Sequence, residues 1–351
     1  MNEILPFLKK LISASGLSGH EAPIRDMIAE QWGALADEVS VSRLGSLHAL
    51  KRGALPEPRP SLLIAAHMDA IGLMVTSVVG EFLHLAEVGG IDARVLPGQL
   101  VTVHGRKELP GVIAQPPAHL LPPDERNGPV ALSNLLVDTG LTAAEVARLV
   151  RVGDLVSFAQ EPIELGKEAL AGHTLDNRAS VAALTTCLEL LQKRLLDWDF
   201  WAVASSQEEE TLGGAATSTF QLRPSLAVAV DVTFASGPGT PSYQSYELGN
   251  GVILGMGPNI HPGLHKSFKE LADRLEIPYK VEVTGAHSGT DAYAMQVAAE
   301  GFPTMAVLIP LRYMHTPVEV ISLKDIARTG RLLAEFAASL DAEYMNKLSW
   351  E

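Results

Sequence analysis

Hydrophobic positions recur at two spacings along the chain, and each spacing predicts a different element. Residues 4–12 carry apolar side chains three and four positions apart, which is the spacing of an amphipathic helix. Ser18 and Glu21 resemble a capping box, which predicts that a second helix begins there and continues through Ile24 and Ile28.

Short continuous apolar runs predict strands that are buried on both faces of a sheet. These runs lie at 61–66, 200–205, 226–230 and 304–309. Helical patterns lie between or after them, at 176–195, 264–275 and 323–340. Strands that alternate with helices are typical of an α/β fold, so we expect a mostly parallel central sheet flanked by helices.

Residues 71–165 carry a different pattern. Short β-rich runs, such as 100–103 and 112–114, are separated there by glycines and prolines. We therefore predict a small all-β, barrel-like domain that is inserted into the α/β domain. The α/β domain then consists of residues 1–70 and 166–351.

Composition and charge narrow the classes of function. Of the 351 residues, 47% are hydrophobic and 19% are charged, which is typical of a folded protein with a large core. A net charge of −14 argues against nucleic acid or an anionic membrane as a partner, and no apolar run is long enough to span a bilayer. Cys187 is the single cysteine and cannot form an internal disulfide, so we expect a cytoplasmic location.

Polar side chains stand beyond the predicted strands or at the start of a predicted helix. In an open parallel sheet, ligands bind in the crevice at the carboxyl ends of the strands, so residues far apart in sequence converge there. The candidates are His67, Asp176, Glu208, Glu209, Asp231 and His315.

Histidines combined with carboxylates suit borderline divalent metals such as Zn²⁺, Co²⁺ or Mn²⁺, whereas Ca²⁺ and Mg²⁺ take oxygen ligands. One carboxylate that bridges two cations would reduce their repulsion and form a hydrolytic two-metal centre. Glu208, beside the candidate ligand Glu209, is then the candidate general base. Asp69 projects to the same strand face as His67 and could accept its ring N–H.

Each cluster taken alone also has a structural interpretation. Three consecutive glutamates at 208–210 are usually a solvated surface, and Asp176 is a candidate helix N-cap. Further along, His287, Ser288 and Asp291 could face the pocket for a substrate side chain, although Asp291 could equally cap the helix that follows.

The motifs resemble, in order and spacing, the glutamyl or tetrahedral aminopeptidases of metallopeptidase family 42, nearly from end to end. They are Ser18-Gly19-His20-Glu21, His67-Met68-Asp69, Gly89-Gly90-Ile91-Asp92, Leu175-Asp176-Asn177-Arg178, Gln207-Glu208-Glu209, Asp231-Val232-Thr233, Gly289-Thr290-Asp291 and Arg312-Tyr313-Met314-His315. Two departures stand out: Ala70 occupies a position that is usually glutamate, and Glu210-Thr211 replaces the usual Val-Gly.

The resemblance implies a role for each candidate. Glu208 would be the catalytic base, and Asp176 would bridge the two metals. The ligands implied for one metal are His67, Asp176 and Asp231, and for the other Asp176, Glu209 and His315. The resemblance also implies a homo-oligomer, a tetrahedral dodecamer, that assembles through the inserted domain around an interior chamber.

We therefore predict an aminopeptidase that hydrolyses N-terminal residues from short peptides at two divalent metal ions, zinc or cobalt before manganese, with a bridging hydroxide. An endoglucanase-like glycoside hydrolase could use Glu208 and Glu209 as acid and base, but it leaves His67 and His315 without a role, and only 5% of the chain is aromatic. A non-catalytic peptide-binding relative is the third alternative. The presence of every ligand and of the base argues against it.

Overall fold

The computed structural model describes residues 4–121, 123, 126, 128, 130–241 and 244–350. Within them, an α/β domain and a closed barrel have separate hydrophobic cores. The strands are β1 Glu38–Val41, β2 Leu47–Lys51, β3 Ser61–His67, β4 Gly72–Val79, β5 Phe82–Val88, β6 Leu100–His104, β7 Glu108–Ala114, β8 Leu136–Asp138, β9 Leu155–Phe158, β10 Ile163–Leu165, β11 Ala169–Gly172, β12 Asp199–Ser205, β13 Leu226–Phe234, β14 Val252–Met256, β15 Tyr279–Val283, β16 Thr304–Arg312 and β17 Glu319–Ser322.

Helices fill the connections of the α/β domain. In α1, the apolar spacing seen in the sequence is confirmed, because Ile4, Leu8, Leu11 and Ile12 are all buried. The α-helices are α1 Ile4–Ser13, α2 Ala22–Gly33, α3 Ala143–Leu149, α4 Leu175–Leu191, α5 Glu208–Thr211, α6 Gly213–Leu222, α7 Pro262–Arg274, α8 Asp291–Gln296, α9 Leu323–Ser339 and α10 Tyr344–Lys347. None of the described helices is long and apolar enough to cross a membrane.

The sheet of the α/β domain has 11 described strands, with the order β1-β2-β12-β3-β13-β16-β17-β11-β10, and β14 and β15 branch off it. Its four central strands, β12, β3, β13 and β16, are parallel to one another. The flanking pairs β2–β12 and β16–β17 are antiparallel. The sheet is therefore mixed, and only its centre follows the predicted parallel arrangement.

The barrel closes in the order β4-β5-β8-β7-β6-β9. Its core consists of alternate residues of these strands, such as Leu73, Val101, Val103 and Val137. The prediction of an all-β insert needs one correction, because α3 also lies within it. Thr142 and Glu145 form a capping box at the start of that helix.

Two local predictions at helix starts are wrong. Ser18 is not a helix cap, because α2 begins only at Ala22, and the Glu21 carboxylate instead accepts backbone N–H groups from Gly19 and Gln207. Asp291 does not cap α8, since the Thr290 side chain does so and Asp291 accepts a hydrogen bond from the Ser205 hydroxyl at 2.5 Å. Both carboxylates support the polar site described next.

Candidate metal centre

The sheet brings the six candidate residues together at the carboxyl ends of its central strands. His67 is the last residue of β3, whereas Asp231 lies inside β13, which continues past the predicted run to Phe234. Glu208 and Glu209 open the short helix α5, which directly follows β12. Asp176 is the second residue of α4, and His315 follows β16.

The centre is built around Asp176. One of its carboxylate oxygens, Oδ1, lies 3.2 Å from His67 Nε2, and the other, Oδ2, lies 3.5 Å from His315 Nε2. Asp176 therefore presents one oxygen to each histidine. That arrangement suits a carboxylate that bridges two cations.

The remaining carboxylates complete two groups of ligand atoms. His67 Nε2 lies 3.7 Å from a carboxylate oxygen of Glu208 and 3.7 Å from one of Asp231. On the other side, His315 Nε2 lies 3.6 Å from Glu209 Oε2. These atoms are spaced as ligands around a cation would be.

Two overlapping triads, each with ligand atoms within 4.8 Å of one another, could hold a metal ion: His67 with Glu208 and Asp231, and His67 with Asp176 and Glu209. The first triad contains Glu208, which the sequence assigns as a base. Glu208 therefore lies within reach of the same ion as His67 and Asp231.

The electrostatics of the site fit bound cations. Burial and neighbouring carboxylates raise the pKa of Glu208 to about 10 and that of Asp231 to about 8, although the nearby His67 lowers both. A hydrogen bond to Asp176 raises the pKa of His315 to about 9. Glu209 Oε1 is buried and has no hydrogen-bond partner among the described residues, as expected of an atom that ligates a metal. The residues present therefore fit a divalent metal.

Asp69 supports α5 more directly than it supports the histidine. Its carboxylate accepts the backbone N–H groups of Glu208 at 3.0 Å and Glu209 at 3.2 Å. The distance from Asp69 Oδ1 to His67 Nδ1 is 3.6 Å, and the ring nitrogen lies closer, at 3.2 Å, to the Asp69 backbone carbonyl. We predicted that the Asp69 carboxylate orients the His67 ring. The backbone carbonyl of Asp69 is the closer partner of that ring.

Glu319 is a site residue that the sequence interpretation missed. Its carboxylate accepts the backbone N–H of Asp176 at 3.0 Å and that of His315 at 3.1 Å, and the side chain is buried. One carboxylate therefore fixes the backbone of two candidate ligands. The sequence offered one signal for this role. Glu319 is a charged residue that directly precedes two apolar residues of β17, and it lies four positions after His315.

Two neighbours of Asp176 fix the start of α4. The Asn177 side chain donates to the Val230 carbonyl at 2.8 Å, directly before Asp231. Arg178 is fully buried and donates to backbone carbonyls at the end of α1 and at Met68. The Asp-Asn-Arg motif thus ties α4 to β13, β3 and α1.

The backbone around the site is strained. Gln207 (φ 55°) and His315 (φ 61°) adopt the left-handed conformation, which costs free energy for residues with a Cβ. Thr174, two residues before Asp176, does so as well (φ 58°). Such conformations cluster at functional sites, where the surrounding contacts hold them in place.

A cavity of 480 Å³ opens beside the centre. Beyond the candidate ligands, it is lined by Thr233, Leu308, Met314 and Glu282. His287 and Ser288 also line it, as predicted, whereas Asp291 does not. The cavity is large enough for an amino-acid side chain to lie next to the carboxylates and histidines.

Residues 45–332 match the family described as M42 glutamyl aminopeptidase, and the match spans both the sheet and the barrel. The chain belongs to the M42 family. The lysyl aminopeptidase of Pyrococcus furiosus is 34% identical, over 93% of this chain and 94% of its own length. The family match and this relative agree with the resemblance expected from the sequence.

Solved structures agree with the M42 assignment. The TET aminopeptidase of a marine sediment archaeon of the Thaumarchaeota superposes with a TM-score of 0.93 at 29% identity, covering 99% of this chain and 100% of its own. The TET1 peptidase of Pyrococcus horikoshii, which can assemble into a tetrahedron or a large octahedral shell, gives 0.83 at 28% identity and covers 96% and 100%. The α/β domain with an inserted barrel is therefore confirmed.

Both departures from the usual M42 motifs lie next to the site. Ala70 is buried and exchanges backbone hydrogen bonds with Gly16 and Ser18. Glu210 is exposed, as the solvated interpretation predicts, and its side chain also accepts the backbone N–H of Gly89, directly after β5 of the barrel. Neither departure removes a candidate ligand.

Proposed function

We propose that this M42 chain is a metal-dependent aminopeptidase that removes N-terminal residues from short peptides at two divalent metal ions. The observation that carries the proposal is the position of Asp176, whose two carboxylate oxygens face His67 and His315 separately. The adjoining cavity gives the first residue of a peptide a place to bind. In its finer form, the proposal is that the two ions are zinc or cobalt and that a hydroxide bridges them.

The residues divide into two ligand sets around Asp176. His67 and Asp231 would hold one ion with it, and Glu209 and His315 the other. Ions in such sites lower the pKa of water, polarise a scissile carbonyl and attract a free amino terminus. The unpartnered Glu209 Oε1 supports this division, because a buried lone carboxylate oxygen needs a partner.

Glu208 has the position of a general acid and base. Its carboxylate is buried beside His67, and the backbone of α5 holds it in place through Asp69. It would take a proton from the attacking water and deliver it to the leaving amine. The surroundings that raise its pKa favour a carboxyl that can hold that proton.

The glycoside hydrolase alternative finds no support at the site. A pair of catalytic carboxylates works without histidine, yet here His67 and His315 lie within 3.7 Å of all four candidate carboxylates. A purely peptide-binding role does not require Glu208 to be buried next to the ligands. Both alternatives predict no peptidase activity.

The proposal is tested with a panel of aminoacyl p-nitroanilides assayed on the full-length chain, first stripped with a chelator and then supplied with Zn²⁺, Co²⁺ or Mn²⁺. We expect hydrolysis only when a metal is supplied. Hydrolysis of cellulose-type oligosaccharides is measured under the same conditions, as the control for the glycoside hydrolase alternative. Hydrolysis of sugars and not of aminoacyl substrates contradicts the proposal.

We also propose that the barrel, within residues 71–165, serves assembly into a dodecamer in the cytoplasm. The support is that the barrel has a core of its own and contributes none of the six candidate residues, and that the TET1 relative forms closed shells. Light scattering on the purified chain tests it. A fully active monomer at micromolar concentration contradicts it.

A further inference from the structure

Apart from Glu208, the described lining of the cavity beside the metal centre contains one carboxylate that belongs to neither ligand set. Glu282, on β15, lines the cavity, and its Oε2 accepts a hydrogen bond from the Thr233 hydroxyl at 2.6 Å. Thr233 lies two residues beyond Asp231 on β13, which is about 7 Å along a strand, on the same face. The Glu282 carboxylate is therefore joined, through Thr233, to the strand that carries Asp231.

Glu282 has no cationic partner. In the part of the chain that the structure describes, its only hydrogen-bond partner is Thr233, and it forms no ion pair. The described cavity lining contains no lysine or arginine. Because the side chain is half-buried, desolvation raises its pKa, and the Thr233 hydrogen bond only partly offsets this. A positive charge brought into the cavity would relieve that penalty.

The walls between Glu282 and the ligands are largely apolar. Val232, Leu308 and Met314 line the same cavity. Leu308 lies opposite Asp231 across the β13–β16 pair, so an apolar surface begins next to the ligands. An apolar wall that ends at a carboxylate matches a long side chain with an aliphatic stem and a cationic head.

We propose that this cavity binds the side chain of the substrate's first residue and that Glu282 selects lysine and arginine at that position. This inference rests on the proposed aminopeptidase function. The aliphatic stem packs along Leu308 and Met314, and the ammonium or guanidinium group forms a charge-assisted hydrogen bond with the Glu282 carboxylate. Glu282 is thereby a specificity-determining residue and takes no part in the proton transfers.

The test compares lysyl, arginyl, norleucyl, leucyl and glutamyl p-nitroanilides on the metal-loaded full-length enzyme. Norleucine copies the stem of lysine without its charge. We expect Glu282→Gln to lower kcat/KM for the lysyl and arginyl substrates about 10- to 100-fold and to leave the norleucyl value within about twofold. Glutamine can still accept the Thr233 hydrogen bond, so the fold is kept. Glu282→Lys should shift the preference to the glutamyl substrate.

Glu270→Gln is the matched control, because Glu270 is exposed on α7 and the substitution removes the same charge outside the cavity. We expect it to leave the substrate preference unchanged. A wild-type enzyme that prefers norleucyl or glutamyl substrates overturns this inference alone, as does an equal loss on all five substrates in Glu282→Gln. No hydrolysis of any substrate with any metal overturns the proposed function and this inference together.

Discussion

Glu210 accepts a hydrogen bond from the backbone N–H of Gly89, with an N···O distance of 2.7 Å. The contact joins α5, which carries Glu208 and Glu209, to the barrel. The next residue, Gly90, approaches the ligand candidate His315 so closely that a Cβ there would lie 3.3 Å from Nδ1. The barrel thus reaches the edge of the metal centre, and Glu210 holds it there.

Replacing Glu210 tests whether this contact matters for turnover. Glu210→Ala leaves Gly89 without its partner, so we expect kcat/KM to fall about fivefold, corresponding to about 1 kcal/mol for one exposed hydrogen bond. Glu210→Gln keeps an acceptor and should retain most of the activity. Equal activity of the alanine variant and the wild type would show that the contact is dispensable.

Glu319 should control metal affinity although it is not a candidate ligand. In Glu319, one carboxylate oxygen accepts the backbone N–H of Asp176 and the other accepts that of His315. Glu319→Gln replaces one of these oxygens by an NH₂ group, which is a donor, so one of the two backbone N–H groups loses its acceptor. Loss of such a supporting contact typically lowers metal affinity about 10- to 100-fold. Metal titration by calorimetry measures it, with the exposed Glu168→Gln as control. Unchanged affinity in Glu319→Gln contradicts the supporting role.

Glu208 and Glu209 are adjacent but should respond oppositely to amide substitution. Glu208→Gln removes the basic carboxylate, so we expect kcat to fall about 10²- to 10⁴-fold while the bound metal and KM change little. Glu209→Gln should instead lower the metal content, and excess metal should restore part of the activity. Metal analysis together with steady-state kinetics separates the two roles. Metal loss in Glu208→Gln with retention in Glu209→Gln means that the roles are exchanged.

Asp176 should be the only candidate ligand whose loss affects both ions. Asp176→Ala removes the oxygens that face His67 and His315, so we expect the bound metal to fall toward zero per subunit. His67→Ala and His315→Ala should each reduce it mainly at one ion. Elemental analysis after gel filtration gives the ratios. A fully loaded Asp176→Ala variant rules out the bridge.

His48 should make the fold sensitive to acid. Burial lowers the pKa of His48 to about 4, and its ring Nε2 lies 2.9 Å from the Ser218 hydroxyl. In the unfolded chain the ring binds a proton near pH 6.5, so the folded state loses stability as the pH falls from about 6.5 toward 4. By pH 4.5 the loss is about 2.5 kcal/mol.

Thermal unfolding of the wild type and of His48→Gln, each measured at pH 7 and pH 4.5, tests this prediction. Glutamine does not titrate, so the variant should lose about 2.5 kcal/mol less than the wild type over this interval. Loss of metal at low pH affects both proteins and cancels in the difference. Parallel pH profiles contradict the prediction.

The sequence by itself determined the central strands of the sheet and which polar residues stand near their ends. Continuous apolar runs can only be satisfied in a sheet that is covered on both faces, so β3, β12, β13 and β16 were predictable from local composition. Because parallel strands align their carboxyl ends, the polar residues near those ends were predictable as one site. Ligand chemistry then followed from the residue types, since histidine with carboxylate suits few metals.

Only the tertiary structure decided how that site is held. The hydrogen bonds of Asp69 to α5, of Glu319 to Asp176 and of Glu210 to Gly89 join segments up to 143 residues apart, and no local pattern encodes such pairings. The antiparallel edges of the sheet and the position of Glu282 in the cavity likewise depend on which strands become neighbours. Which strands become neighbours depends on how the whole core packs. That packing is determined by many contacts between residues far apart in the sequence, so no single segment predicts it.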